Sequence, residues 1–222
     1  MTLRLVVFDV DGTLVDSQGD IVGSLTAAFH EVGLEVPERS QLLSVVGLSL
    51  PQVMFRLASD QSEQTRDKMI ETYKSTFKSL RQSKALSPYY PGAQDALATL
   101  SKKADVLLGV ATGKSRRGLD ALIDGYGLDG LFVTAQVADN HPSKPHPSML
   151  HTAMTECGVE AEDTVMIGDT VFDMDMANAA GVAFIGVSWG YHPSSKLNNA
   201  VAVLETFADL MPALEQHWRP EL

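Results

Sequence analysis

Five short apolar runs recur along the chain, with polar or helix-like stretches between them. They cover residues 3–8, 106–111, 131–135, 165–167 and 182–187. Continuous runs rich in branched side chains are typical of strands buried on both faces of a parallel sheet. Segments with helical spacing alternate with these runs, at residues 92–100, 115–123, 147–157, 171–180 and 205–217. The alternation predicts an α/β fold with a doubly wound, Rossmann-like parallel sheet.

One segment breaks this alternation, because residues 17–87 show helical patterns and no convincing strand. Two apolar stripes run through it at helical spacing. Asp60 and Glu63 have the spacing of a capping box, and Pro51 suits the first turn of a shorter helix. The stripes consist of Ile21, Val22, Leu25, Ala28, Phe29 and Val32, and of Met69, Ile70, Tyr73, Phe77 and Leu80.

The break in the pattern predicts two domains. An all-helical cap domain is expected at residues 17–87, inserted after the first strand. The α/β core domain is then formed by residues 1–16 and 88–222.

The charge distribution narrows the classes of function. The chain of 222 residues has a net charge of −11, and residues 17–87 hold 8 basic and 8 acidic side chains, so the acidic excess lies in the predicted core. Nucleic acids and anionic membranes both require a basic face, so neither is expected as a partner. An acidic protein that handles an anionic substrate needs a local positive centre, which a divalent cation usually supplies.

The same sequence predicts a cytoplasmic protein without a membrane span. Its apolar runs fall far short of the roughly 20 residues that a membrane helix needs. Asp9 interrupts the first run before it could form the core of a secretory signal. Cys157 is the one cysteine and has no partner for an internal disulfide, which fits a reducing compartment.

Candidate chemistry begins directly after the first predicted strand, in the segment Asp-Val-Asp-Gly-Thr-Leu-Val-Asp at residues 9–16. Two carboxylates this close repel each other unless a cation or a proton relieves them. Asp9 could attack phosphorus and also bind magnesium. Asp11 could protonate the leaving oxygen and later deprotonate water. Gly12 permits the tight turn that follows.

This segment resembles the first motif of phosphatases in the haloacid dehalogenase superfamily, and three later segments resemble the family's other motifs in order. Residues 107–114 form a buried strand that ends in Thr112 and Gly113. Lys144 precedes a proline-rich turn at residues 143–147. Residues 165–173 contain Asp169 and Asp173. Because parallel strands hold their ligands at their carboxyl ends, we expect these motifs to meet at one edge of the sheet.

The resemblance implies a role for each of these residues. Thr112 and the amide of Gly113 would bind the transferred phosphoryl group, and Lys144 would neutralise charge beside the nucleophile. Mg²⁺ would be held by the carboxylates of Asp9 and Asp169, the main-chain carbonyl of Asp11, and water. Asp173 would lie outside the metal ligands and orient Asp169, bound water or Lys144.

The position of the helical insertion resembles the phosphoglycolate phosphatase-like branch of the superfamily. In that branch a loop of the cap selects the substrate, and residues 46–49, with Gly47 and Leu48, are the candidate here. The implied activity is hydrolysis of a small phosphorylated metabolite through an aspartyl-phosphate. A phosphomutase resembling β-phosphoglucomutase remains open, as does a catalytically silent binding protein. The sequence does not choose between a monomer and a homodimer.

Overall fold

A single parallel sheet forms the centre of the molecule. The computed structural model describes residues 2–83 and 86–218. The sheet has the strand order β3-β2-β1-β4-β5-β6, and every pair of neighbouring strands is parallel. The strands are β1 (Arg4–Phe8), β2 (Val106–Thr112), β3 (Thr134–Val137), β4 (Thr164–Gly168), β5 (Ala183–Val187) and β6 (Ala202–Leu204).

Helices cover both faces of this sheet. The helices are α1 (Gln18–Glu31), α2 (Arg39–Leu43), α3 (Leu50–Leu57), α4 (Glu63–Ser83), α5 (Ala93–Leu100), α6 (Arg116–Tyr126), α7 (Ser148–Cys157), α8 (Val171–Ala180) and α9 (Leu210–His217). In β1, Val6 and Phe8 join a hydrophobic cluster with α5, α6 and α9, whereas Leu5 and Val7 join one with α7 and α8. Successive strand residues point to opposite faces, so both faces of β1 are buried. The predicted doubly wound α/β class is confirmed.

The helices α1 to α4 all lie between β1 and β2 and enclose a hydrophobic cluster of their own. Leu25, Met54 and Met69 are central to it, and Phe172 from α8 packs against it. The domain boundaries at residues 16/17 and 87/88 stay a prediction. Residues 1, 84–85 and 219–222, which the predicted domains include, lie outside the described residues.

Four local predictions differ from the structure. The third strand was predicted at residues 131–135 but spans Thr134–Val137, and the short edge strand β6 was not predicted. The last helix begins at Leu210, after a 3₁₀ turn at Phe207–Asp209, and not at residue 205. The capping box at Asp60 is wrong, because the Ser62 hydroxyl accepts the hydrogen bond from the amide of Thr65 at the start of α4.

Pro51 lies in the first turn of α3, as predicted. Among the described residues, no helix combines the length and the apolar character needed to cross a bilayer.

Candidate active site

Four predicted site residues converge at the carboxyl edge of the sheet. Asp9 follows β1, Thr112 ends β2, Asp169 follows β4, and Lys144 lies in the loop after β3. The strands β2, β1 and β4 are neighbours, which brings their carboxyl ends side by side. None of the four side chains is more than 1% exposed. Charged residues are almost never buried to this extent unless they are paired, so these side chains must be paired with one another or with a ligand.

Lys144 connects two carboxylates within this cluster. Its Nζ lies 3.0 Å from Asp9 Oδ1 and 2.6 Å from Asp173 Oδ1. Burial alone would lower the pKa of Lys144, but the charges of Asp173 and Asp9 outweigh it and hold this pKa above its ordinary value. Lys144 therefore remains an ammonium ion beside Asp9.

Asp173 fixes the position of that ammonium ion. The second oxygen of its carboxylate accepts hydrogen bonds from the amide of Thr170 at 3.0 Å and from the Thr170 hydroxyl at 2.7 Å. The bond from the Thr170 amide, together with one from the Asp173 amide to the Thr170 hydroxyl at 3.3 Å, forms a capping box at the start of α8. The sequence predicts that Asp173 orients Asp169, bound water or Lys144, and in the structure it contacts Lys144.

Asp169 is oriented from two sides. Its Oδ1 accepts a hydrogen bond from the Thr13 hydroxyl at 2.9 Å, and its Oδ2 accepts one from the amide of Tyr191 at 2.8 Å. Burial raises the pKa of Asp169 well above its ordinary value, and the nearby charges of Asp173 and Asp9 raise it further. The charged form of this carboxylate therefore needs more positive charge than its hydrogen bonds supply.

The cluster fits a divalent cation. Ligand atoms of Asp9, Asp169 and Asp173 lie within 4.8 Å of one another. Lys144 forms an ion pair with Asp9, but neither carboxylate oxygen of Asp9 accepts a well-directed hydrogen bond from a described residue. Burial raises the pKa of Asp9 to about 7. Buried carboxylate oxygens that lack donors are suited to a hard cation such as Mg²⁺.

Asp11 points to a different set of partners. The Nζ of Lys114 lies 2.7 Å from Asp11 Oδ1 and 2.6 Å from Asp11 Oδ2. The hydroxyl of Ser17 also donates to Oδ1, and it lies 3.2 Å from the hydroxyl of Tyr191. The carboxylate of Asp11 is therefore held in place by neighbours other than those of Asp9.

The predicted substrate loop contacts the predicted phosphate-binding turn. A Cβ atom at Gly113 would lie 2.6 Å from the carbonyl oxygen of Leu48 and 2.7 Å from that of Gly47. The amide of Ser49 donates to the Ser143 hydroxyl at 2.8 Å, beside Lys144. A Cβ atom at Gly47 would lie 3.2 Å from the Thr170 hydroxyl, so the loop approaches the second, third and fourth motifs.

We expect Gly113→Ala to damage activity, because the added methyl group requires the main chain of residues 47–48 to move. A misplacement of about 1 Å at an active site can lower the rate by roughly 100-fold. The expected result is a fall in kcat/KM for phosphate ester hydrolysis of at least about tenfold. The matched control is Gly19→Ala, since nothing lies within 4 Å of a Cβ at Gly19. Equal kinetics for the two variants would show that the close approach has no consequence.

A cavity of about 1210 Å³ connects the helical insertion to the site. Asp9, Asp11, Thr112 and Gly113 line its inner end. Its outer part has apolar walls from α1, α3 and α4 and several basic side chains, namely Lys74, Lys78, Arg81 and Arg117. The cavity can therefore hold a phosphate ester with the phosphorus beside Asp9 and the rest of the molecule under the helices.

His192 connects the sheet to the helical insertion. Its Nδ1 accepts a hydrogen bond from the amide of Val171 at 3.0 Å, so its Nε2 is the protonated nitrogen that donates to the carbonyl oxygen of Ser44 at 3.0 Å. Burial lowers the pKa of His192 from its ordinary value of 6.5. A neutral ring fits both contacts, and a doubly protonated ring does not.

We predict that His192 makes folding sensitive to acid. Below pH 6.5 the unfolded chain gains a proton at this residue that the folded chain does not, so its stabilising effect is lost as the pH falls. His192→Gln should lower the free energy of unfolding at pH 7.5 by about 1–3 kcal/mol, because buried partners lose hydrogen bonds. The difference between wild type and variant should shrink at pH 5.5. Urea unfolding of both proteins at the two pH values measures it, and a difference that grows at pH 5.5 would contradict the prediction.

Several residues of the site carried no assigned role at the level of sequence. Thr13 holds Asp169, and Ser17 and Lys114 hold Asp11. Thr13 and Lys114 lie inside the first and second motifs, so their positions could have indicated that they belong to the site. The contact of Tyr191 with Asp169 spans 22 residues of chain, and neither the spacing nor the residue types indicate it.

The parallel sheet, the inserted helices and the buried carboxylate–lysine cluster define an α/β protein with a Rossmann-like core and a charged site at the carboxyl edge of its sheet. Residues 6–187 match the family model described as haloacid dehalogenase-like hydrolase, and the chain belongs to that family. The resemblance noted in the motifs is confirmed, and so is the expectation of an enzyme of the phosphatase type.

Curated relatives agree with this assignment, and a solved structure shares the fold. The chain is 34% identical over 214 residues to "Probable phosphatase IndB" of Dickeya dadantii (strain 3937), covering 94% of this chain and 92% of the relative. It is 30% identical over 220 residues to a phosphoglycolate phosphatase of Haemophilus influenzae (strain 86-028NP), covering 95% and 98%. A haloacid dehalogenase-like family hydrolase from Streptococcus pneumoniae has the same fold, with a TM-score of 0.81, 23% identity and coverage of 95% and 97%.

Proposed function

We propose that this enzyme is a Mg²⁺-dependent phosphomonoesterase that acts on a small phosphorylated metabolite through an aspartyl-phosphate at Asp9. The observation that carries the proposal is the carboxylate of Asp9. It is buried, lies beside the ammonium of Lys144, and accepts no well-directed hydrogen bond from the described residues. A nucleophile needs free lone pairs, and this carboxylate has them at the inner end of a substrate-sized cavity.

In the first step, an oxygen of Asp9 attacks phosphorus and forms a new O–P bond. The bond from phosphorus to the ester oxygen breaks, and its electron pair stays on that oxygen. Asp11 in its protonated form gives the leaving oxygen a proton, so the product is an alcohol. This step leaves Asp9 phosphorylated and Asp11 as a carboxylate.

In the second step, the carboxylate of Asp11 takes a proton from water while the water oxygen attacks phosphorus. The O–P bond to Asp9 breaks, and inorganic phosphate leaves. Asp11 ends the cycle protonated and Asp9 ends it free, so the net reaction consumes one ester and one water.

Charge on the phosphoryl oxygens is balanced by the surroundings of Asp9. Lys144 supplies a fixed positive charge, and the Thr112 hydroxyl and the Gly113 amide, which line the cavity, would donate hydrogen bonds to these oxygens. Mg²⁺, held by Asp9, Asp169 and the main-chain carbonyl of Asp11, would offset the repulsion between a phosphate dianion and Asp9. Asp173 keeps Lys144 in position.

The helical insertion acts as a cap in this proposal. It supplies most of the cavity wall beyond the phosphate, and Gly47 and Leu48 come closest to the phosphate-binding turn. The leaving group would therefore contact the cap, and differences in cap side chains would select the substrate. The relative named phosphoglycolate phosphatase supports a small metabolite as substrate. The cytoplasmic location stays a prediction.

The test is release of inorganic phosphate from a panel of phosphate monoesters by purified protein with Mg²⁺. We expect net release from at least one small ester. Interconversion of sugar phosphates without net release would instead establish the phosphomutase alternative. Binding without turnover across the panel would favour a silent binding protein.

A further inference from the structure

Lys114 carries a nearly buried positive charge that none of the proposed steps uses. It follows Thr112 and Gly113 at the end of β2. Its ammonium group contacts both carboxylate oxygens of Asp11, at 2.7 and 2.6 Å, and the two side chains are only 9% and 13% exposed. An ion pair with so little solvent around it is screened much less than a pair on the surface.

The main chain holds Lys114 rigidly in this place. Its amide donates to the Thr112 hydroxyl at 3.3 Å, and its carbonyl oxygen accepts from the amide of Ala138 at 3.0 Å. Ser17 donates to Asp11 from another side. The carboxylate of Asp11 is therefore restrained by two groups fixed to different parts of the chain.

The same ammonium group contacts the helical insertion. Lys114 Nζ lies 5.1 Å from the ring centroid of Phe77 in α4, within the range of a cation–π interaction. Phe77 stacks in turn on Tyr73, with ring centroids 5.8 Å apart. Lys114 thus touches the core carboxylate and the inserted helix at once.

The geometry shows what this contact can do. The ammonium of Lys114 reaches both oxygens of Asp11, and the hydroxyl of Ser17 reaches one of them, so groups outside the Asp9–Asp169 cluster set the direction of this carboxyl group. A proton donor must lie within hydrogen-bond reach of the leaving oxygen, so a change in the direction of Asp11 would weaken the proton transfer.

We propose that Lys114 is a positioning residue for Asp11, which fixes the direction of its carboxyl group and ties it to the inserted helix through Phe77. The inference rests on the proposed function, because it assigns Lys114 to the proton-transfer residue of that reaction. As the P–O bond breaks, the proton of Asp11 passes to the leaving oxygen and the new carboxylate pairs with Lys114.

The decisive experiment compares two leaving groups in the full-length enzyme with Mg²⁺. An alkyl phosphate, glycerol 3-phosphate or 2-phosphoglycolate, needs a proton on its leaving oxygen, whereas p-nitrophenyl phosphate needs little help. Lys114→Met should lower kcat/KM for the alkyl phosphate at least about tenfold more than for p-nitrophenyl phosphate. Lys114→Arg should restore much of the loss, because arginine can also pair with both carboxylate oxygens.

Two controls separate this role from the loss of any positive charge. Lys68→Met removes a positive charge from an exposed side chain of α4 that does not line the cavity, and it should leave the ratio between the two substrates unchanged. Phe77→Leu should shift that ratio in the same direction as Lys114→Met, by a smaller factor. Its matched control is Phe55→Leu, which removes a similar contact of Arg66 in the insertion, with the guanidinium carbon 5.4 Å from the ring centroid.

The outcomes are distinct. An equal loss on both substrates with Lys114→Met, or a rise confined to KM, would overturn the positioning role, the second because it indicates direct contact with the phosphate. An unchanged ratio with Phe77→Leu would overturn the link to the helix. Failure of the wild-type enzyme to release phosphate from any ester of the panel would overturn the proposed function itself. An active wild type whose substrate ratio does not respond to Lys114→Met would overturn only the role of Lys114.

Discussion

Asp9→Asn should abolish phosphate release while the protein stays folded. The amide is a far weaker nucleophile than the carboxylate, and losing a nucleophile can lower kcat by about 10⁴-fold or more. The shape of the side chain is kept, and Lys144 retains its contact with Asp173. Because burial raises the pKa of Asp9 to about 7, removing its charge should not lower stability at neutral pH. Phosphate release and thermal unfolding of the two proteins measure these effects.

The matched control is Asp175→Asn, which makes the same chemical change at an exposed residue of α8. We expect wild-type kcat for this control. Mass spectrometry of the Asp9→Asn protein establishes that the asparagine has not deamidated. Substantial turnover by an intact and folded Asp9→Asn protein would remove Asp9 from the role of nucleophile.

Removing divalent cations should also abolish activity, and Mg²⁺ should restore it. Asp9 and Asp169 are buried, and burial is the largest cause of their raised pKa values. The free energy of unfolding of the Mg²⁺-free protein should fall as the pH rises. The carboxyl group of Asp9 releases its proton near pH 4 in the unfolded chain but keeps it until about pH 7 in the folded chain. A bound cation offsets this effect, so Mg²⁺ should raise the melting temperature more at pH 7.5 than at pH 5.

Activity with excess EDTA, followed by titration with Mg²⁺, measures the first effect, and thermal unfolding at both pH values measures the second. Asp169→Asn should remove most of the shift in melting temperature, whereas Asp175→Asn should keep it. Full activity after complete chelation, or a melting temperature indifferent to Mg²⁺ at pH 7.5, would contradict the assignment of a metal site.

The gathering of Asp9, Thr112, Lys144 and Asp169 at one edge could be predicted because each follows a recognisable strand or turn. Buried parallel strands are continuous apolar runs, and their carboxyl ends meet by topology alone. The family motifs then indicated which of the polar residues at those ends belong together.

Apolar runs predicted strands less reliably where their side chains pack outside the sheet. Leu131 and Phe132 suggested an early start for β3, but they pack against the hydrophobic cluster from the turn that precedes the strand. The edge strand β6 has only three residues, too few for a periodic pattern to show. Local spacing does not distinguish these cases, because the partners lie far away in the chain.

Contacts between the insertion and the core could not be predicted from the sequence either, because the residues that meet are far apart in the chain. Lys114 and Asp11 are 103 residues apart, and the approach of Gly113 to Leu48 depends on how the helices lie over the sheet. Each motif shows a residue type, but only the folded chain shows which atoms it faces.

The carboxylate of Asp173 has a consequence for how mutational data on this enzyme should be read. One of its oxygens contacts Lys144 and the other closes the first turn of α8. Alanine at this position would weaken the helix and free the lysine together, so a loss of turnover could not be divided between the two causes. Asparagine can keep an acceptor for the turn while giving up the charge, which makes it the substitution that separates folding from chemistry.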